Sequence, residues 1–211
     1  MIYRTLIFDF DGTIADTLEE TRRLYNLMAA DYGLRPVAED EIDDMRHFTL
    51  KELIKHLKIP SRRVPTLLAR GTSLMRGNID ALQLIPGMDE VLRQLRPHAD
   101  SLGILTSNAT ANVEAFLEKY HLRREFDFIS TTSKLTSKAR HLKSLRRQYG
   151  LKPREILYIG DELRDVKASQ KADIPVAAVS WGFNSHEALA AQKPTYLFDS
   201  PHQLLSLLNA E

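Results

Sequence analysis

Leu6-Ile7-Phe8-Asp9-Phe10-Asp11-Gly12-Thr13 is the stretch whose reading decides the fold. Three apolar residues in a row suit a strand covered on both faces, as in a parallel sheet. Two carboxylates and a glycine follow at once. In open parallel sheets, ligands bind beyond the carboxyl ends of the strands. Side chains at i and i+2 share an orientation while the chain stays extended, so Asp9 and Asp11 can converge on one site. Gly12 lets the backbone leave the strand sharply. Two carboxylates held close repel, and a divalent cation offsets that repulsion. A bare Asp-Gly reads as a turn; a strand ending in Asp-x-Asp-Gly-Thr reads as a site.

Further apolar runs extend the pattern along the chain. Leu102 to Leu105, Phe126 to Ile129, Ile156 to Ile159, Val176 to Val179 and Tyr196 to Phe198 are expected strands. Segments with helical spacing lie between them. Val91, Leu92 and Leu95 follow Pro86-Gly87 and are stopped by Pro97. Val113, Phe116, Leu117 and Tyr120 mark a second helix. Ala139, Leu142, Leu145 and Tyr149 mark a third, which Gly150 closes in the left-handed conformation. Such alternation predicts a doubly wound α/β fold with right-handed crossovers.

One stretch breaks the alternation. From Asp16 to Asn78 there is helical periodicity and no convincing strand. Asp16 with Glu19, and Thr49 with Glu52, have capping-box spacing. The expectation is an α/β core, residues 1–15 and 80–211, carrying an all-helical insertion over residues 16–79.

Composition narrows the function classes. The 211 residues hold 29 Lys plus Arg against 28 Asp plus Glu, which leaves no broad cationic surface for nucleic acid or acidic membranes. Without cysteine there is no disulfide, thiolate metal site or Cys nucleophile. No apolar run approaches the roughly 18 residues of a membrane span. The opening apolar stretch meets two carboxylates too soon for a secretion signal. A soluble, cytoplasmic protein is expected.

Three other stretches sit where strands or helices end. Thr106-Ser107-Asn108 offers hydroxyl, amide and backbone donors; alone it reads as helix capping by Asn108 or Thr110. Lys138 stands near a helix start, where the dipole prefers anions. That helix also carries Arg140, Lys143, Arg146 and Arg147, but no aromatic residues interleave these charges as a nucleic-acid surface would require. Gly160-Asp161-Glu162-Leu163-Arg164-Asp165 forms another acidic cluster at a strand end. The shared position makes the set informative.

Asp9-Phe10-Asp11-Gly12-Thr13, Thr106, Lys138 and Gly160-Asp161-x-x-x-Asp165, in that order, resemble the four motifs of the haloacid dehalogenase-like (HAD) hydrolase superfamily. The resemblance covers essentially the whole chain. The helical insertion looks like the small cap of the phosphoglycolate phosphatase-like branch, as do Ile85-Pro86-Gly87 and Val179 to Asn184. It implies a Rossmann-like core and a Mg²⁺-dependent phosphatase acting on a small phosphorylated metabolite. Asp9 would be the nucleophile, and Asp11 the acid and then the base. Asp9, the Asp11 backbone carbonyl and Asp161 would hold Mg²⁺. Thr106, Lys138 and backbone N–H groups, with Gly12, Thr13, Ser107 and Asn108 around them, would hold the phosphoryl oxygens. Asp165 would orient Lys138 or a metal-bound water, with Glu162 as a second candidate. Thr136-Ser137-Lys138-Ala139 lacks the Lys-Pro-x-Pro context usual in this branch, which leaves Lys134 as the alternative lysine.

Asp11 separates phosphoryl transfer from carbon–halogen hydrolysis, because a halide needs no acid and dehalogenase members lack this residue. A phosphomutase or pyrophosphatase of the same superfamily uses the same residues. A non-catalytic binding module has no need of them. Neither Gly-x-Gly-x-x-Gly nor a Walker loop is present, which removes the usual nucleotide-binding motifs. For a small phosphorylated acid, an arginine of the cap should meet the carboxylate. Arg46 is the candidate, ahead of Arg22 and Arg76. Trp181 and Phe183 are expected to pack a loop beside the site. No macromolecular partner is implied beyond a monomer or homodimer.

Overall fold

The first strand, β1 (Thr5–Phe8), is buried throughout, which is why its sequence is continuously apolar rather than alternating. In the computed structural model, residues 2–76, 78–132 and 138–209 are described. Lys134, Thr136, Ser137 and Gly77 therefore lie outside the described residues.

After β1 the chain forms β2 (Ala15–Asp16) and four helices, α1 (Leu18–Tyr32), α2 (Ile42–Met45), α3 (Leu50–His56) and α4 (Val64–Arg76). It returns through β3 (Gln83–Leu84). Next come α5 (Met88–Leu95), β4 (Ser101–Thr106), α6 (Thr110–Lys119), β5 (Phe128–Thr131) and α7 (Lys138–Gln148). Then follow β6 (Ile156–Gly160), α8 (Leu163–Ala172), β7 (Val176–Val179), α9 (His186–Ala190) and β8 (Tyr196–Phe198). A 3₁₀ segment over Pro201–Asn209 packs on α5. Among the described residues, no helix is long and apolar enough to cross a membrane.

Six parallel strands form one sheet in the order β5-β4-β1-β6-β7-β8. The two faces of β1 feed separate cores. Leu6 and Phe8 join Val91, Leu92, Phe116 and Leu204 on one side; Ile7 joins Leu142, Leu145, Val166 and Leu189 on the other. Each such buried side chain contributes about 1.5–3 kcal/mol. Register then positions the site. Phe8 stands opposite Ile104 of β4 and Ile159 of β6, so the three strands end together. The chain runs outward through β1, β4 and β5, then crosses back to β6 on the other side of β1. That reversal opens the crevice where ligands bind.

Three local expectations are corrected. β2 pairs antiparallel with β3, Ala15 opposite Leu84 and Asp16 opposite Gln83, so a short ribbon joins the helical cap to the sheet. Two-residue strands carry too little apolar pattern to be read in sequence. Asp16 is engaged in this ribbon, so Thr17 takes the N-cap position of α1 without a side-chain capping bond, and Glu19 pairs with Arg22 instead. The Thr49–Glu52 capping box does form, with N–H groups bonded at 3.3 and 2.8 Å. β5 begins two residues later than its apolar run, because Phe126 closes a 3₁₀ turn and packs its buried ring edge-on against Phe8. Pro97 lies in the 3₁₀ turn that ends α5, and Gly150 after α7 has φ +62°.

Candidate active site

The carboxyl ends of β1, β4 and β6 converge beneath the cap. Asp9 is buried; its N–H donates to the Ile159 carbonyl at 2.8 Å, and its Oδ1 accepts from the Phe10 N–H at 2.8 Å. Asp161, also buried, accepts from Thr13 Oγ1 at 2.7 Å and from the Phe183 N–H at 2.8 Å. Gly12 has φ +74°, and a Cβ there would lie 2.2 Å from Asp161 Oδ2. A Cβ on Gly182 would lie 2.3 Å from the same oxygen. The two loops can close on Asp161 only because both positions lack side chains.

Lys138 enters this group from the first turn of α7. It is buried, with its Nζ donating to Asp9 Oδ2 and, at 2.6 Å, to Asp165 Oδ1. The Tyr158 hydroxyl donates to Asp165 Oδ1 at 3.3 Å, and the Glu162 N–H to Asp165 Oδ2 at 3.1 Å. Burial works against charge on the lysine, but Asp165 and Asp9 outweigh it and hold Lys138 above the ordinary amine range. Burial likewise opposes ionisation of Asp165, yet Lys138 and Arg164 win and keep it below the usual carboxylate range. Asp9 is pushed up to about 7 by burial, with Lys138 pulling the other way. Asp161 is raised well above its ordinary value by burial and by the charges of Glu162, Asp165 and Asp9.

Asp11 stands apart from this cluster. Asn108 Nδ2 donates to its two carboxylate oxygens at 3.2 and 3.3 Å. Asn108 is itself fixed: its N–H donates to Thr106 Oγ1 at 3.0 Å, and Asn112 Nδ2 donates to its Oδ1 at 2.8 Å. Ala109, not Asn108 or Thr110, is the N-cap of α6; Asn108 Oδ1 accepts from the Ala109 N–H at 2.8 Å at the helix start, while its amide nitrogen serves Asp11. Burial pushes the Asp11 carboxyl up to about 6, moderated by the Asn108 hydrogen bond. Thr106 is fully buried and Ser107 half-buried.

A cavity of about 1040 Å³ lies between these residues and the cap. Asp11, Ser107, Asn108, Lys138, Glu162 and Arg164 line it from the core side, with Leu24, Met28, Phe48 and Leu53 among the cap residues. Arg46 lines the cavity too, but its Nη2 donates to the Ser180 carbonyl, and its own carbonyl accepts from Asn184 Nδ2 at 2.8 Å. It therefore ties the cap to the core loop after β7. Arg22 is paired with Glu19 and donates to the Val37 carbonyl at 3.2 Å. Trp181 Nε1 donates to the Thr13 carbonyl at 3.2 Å, while Phe183 lines the cavity.

The acidic set fits a divalent cation. Asp9, Asp161 and Asp165 each bring a carboxylate oxygen within 4.8 Å of the others. Such hard oxygen donors suit Mg²⁺, whose charge would offset the repulsion that raises Asp161. The Asp11 carboxylate is outside this set.

These features meet their match among known proteins. Residues 6–179 match the family model described as haloacid dehalogenase-like hydrolase. A phosphoglycolate phosphatase of Synechococcus elongatus is 35% identical over 202 residues, spanning 96% of this chain and 95% of that one. The pyrophosphatase PpaX of Bacillus cereus is 26% identical over 213 residues, spanning 99% and 98%. A haloacid dehalogenase-like hydrolase structure from Streptococcus pneumoniae superposes with TM-score 0.83 over 98% of both chains at 20% identity. The chain belongs to the haloacid dehalogenase-like hydrolases, in their phosphoglycolate phosphatase-like branch, and is a phosphatase.

Proposed function

We propose that this phosphatase hydrolyses a small, carboxylate-bearing phosphomonoester of the phosphoglycolate type through an aspartyl-phosphate on Asp9. The observation that carries the reading is the division of labour between the two carboxylates of the first motif. Asp9 is paired with Lys138 in the buried cluster, whereas Asp11 is held by Asn108 at the cavity wall. In this reading one attacks and the other exchanges protons.

In this mechanism an Asp9 carboxylate oxygen attacks phosphorus and the ester oxygen departs. Asp11, raised to about 6 by burial, gives its proton to that leaving oxygen. It then takes a proton from the water that cleaves the acyl phosphate. Lys138 carries positive charge at the nucleophile, and Thr106, Ser107 and the backbone N–H groups of the first motif receive phosphoryl oxygens. Asp165 positions Lys138 through their shared hydrogen bond. Mg²⁺ held by Asp9, Asp161 and the Asp11 carbonyl would supply further charge for the phosphoryl oxygens. The cap, residues 16–79, closes over residues 1–15 and 80–211 about the β2–β3 ribbon and excludes water.

The reading is tested by phosphate release from phosphoglycolate, sugar phosphates, nucleotides and pyrophosphate, with Mg²⁺. Phosphoglycolate is expected to show the highest kcat/KM. Preference for pyrophosphate, or an isomerised sugar phosphate without free phosphate, would overturn it. Chelation should lower turnover by about 10²-fold or more, restored by Mg²⁺. Turnover indifferent to chelator contradicts the metal assignment.

A further inference from the structure

Arg164 is a cation that the mechanism leaves unused. It lies in the first turn of α8, between Asp161 and Asp165, where the helix dipole disfavours a positive charge. Its Nη2 donates to Glu162, and its Nε is buried without a partner, as is the Nε of Arg46 in the cap. A buried donor left unpaired costs about 1–3 kcal/mol, so such a group points to something that completes it.

The surroundings say what that is. Arg164 lines the cavity together with Asp11, Ser107 and Asn108. Lys138 is already committed to Asp9 and Asp165, and Arg46 is held by the Ser180 carbonyl. Of the cavity's other cations, Arg22 is paired with Glu19 and bonded to the Val37 carbonyl, and Lys51, Lys167 and Lys171 are exposed. Arg164 is thus the half-buried cation on the core side of the cavity, the side that also carries Asp11, the acid that would protonate the leaving oxygen. In a phosphorylated 2-hydroxy acid, the carboxylate is one carbon away from that oxygen.

We infer that Arg164, rather than Arg46, reads the carboxylate of the leaving group, its Nε–H and a neighbouring Nη–H forming a two-pronged hydrogen bond. The inference rests on the phosphomonoesterase reading above. Glu162 holds the guanidinium from the other side and fixes its plane, so little freedom is lost when the carboxylate arrives. Specificity then resides in the rigid core, and the cap's Arg46 is a latch between cap and core.

The test compares kcat/KM for phosphoglycolate and for 2-hydroxyethyl phosphate, which replaces the carboxylate with a neutral group. Both are measured with Mg²⁺ on the full chain and on Arg164→Ala, Arg164→Lys and Arg46→Ala, with circular dichroism as the folding control. Arg164→Ala is expected to reduce the preference for phosphoglycolate by about 30-fold or more, chiefly through KM. Arg164→Lys should retain an intermediate preference, since it restores charge but not the planar fork. Arg46→Ala should slow both substrates and leave their ratio intact. Preference unchanged in Arg164→Ala, or lost in Arg46→Ala instead, overturns the assignment. So does a parent chain that hydrolyses both esters equally well, which would leave the phosphatase standing. Hydrolysis of neither ester removes the reaction itself and Arg164's part in it.

Discussion

Asp9→Asn is expected to lower phosphate release by at least about 10³-fold while leaving the chain folded. The amide is nearly isosteric with the carboxylate but cannot form the acyl phosphate. Folding should survive because burial already works against the Asp9 charge, and Lys138 keeps its second partner in Asp165. The Phe10 N–H can still donate to the amide oxygen, and the bond from the residue's own backbone N–H to the Ile159 carbonyl is untouched. Three measurements check the expectation: phosphate release, melting temperature, and transfer of labelled phosphate from substrate to protein. The parent should acquire label and the variant should not. Appreciable turnover in the variant would remove Asp9 from the role of nucleophile.

Lys138→Met should be costly in both stability and rate. The side chain is only 2% exposed and bridges two buried carboxylates. Methionine keeps much of the volume but leaves Asp9 and Asp165 facing each other beside Asp161 and Glu162. Breaking a buried ion pair from one side costs about 3–5 kcal/mol. The pH dependence has a definite sign. In the parent, Lys138 is raised above its unfolded value, so its contribution is complete below the ordinary amine pKa and is lost only as pH rises through the folded one. Asp165 is depressed, so its contribution is present above the ordinary carboxylate pKa and is lost as pH falls through the folded one. Removing Lys138 takes away the largest influence that depresses Asp165. The stability gap between parent and variant should therefore be wide at about pH 8 and narrow towards pH 4, where carboxylates take up protons. Urea midpoints at the two pH values check this. A gap independent of pH would mean that Lys138 acts through packing alone. Phosphate release should fall by about 10²-fold or more, since a buried charge at the nucleophile is gone.

The site's legibility differs sharply from residue to residue. Asp9, Asp161 and Lys138 stood out because each falls at the end of an apolar run or the start of a helix, and such ends are visible without coordinates. Asn108 stood out as well, but for capping or phosphate binding. Its hold on Asp11 joins residues 97 apart, and nothing local distinguishes it from an ordinary cap. Arg46 carried the right chemistry for a carboxylate, yet its Nη2 went to a carbonyl 134 residues away. Arg164 lies within the acidic cluster after β6, where spacing gives it no role, because its unpaired Nε is a property of packing and not of spacing. The β2–β3 ribbon escaped for a related reason: each partner is two residues long and the pairing spans the whole cap.

What the sequence determined by itself is the parallel sheet, the inserted helices and the order of the polar motifs. Continuous apolar runs and helical periodicity are local consequences of burial, and they survive in one dimension. What only the tertiary structure decided is which polar groups meet. The register that sets Phe8 against both Ile104 and Ile159 brings three strand ends into one crevice, and there partners are chosen by distance. A carboxylate, an amide or a guanidinium has the same letters whether it faces solvent, a carbonyl or a substrate. Its chemistry here is decided by the neighbours that folding supplies.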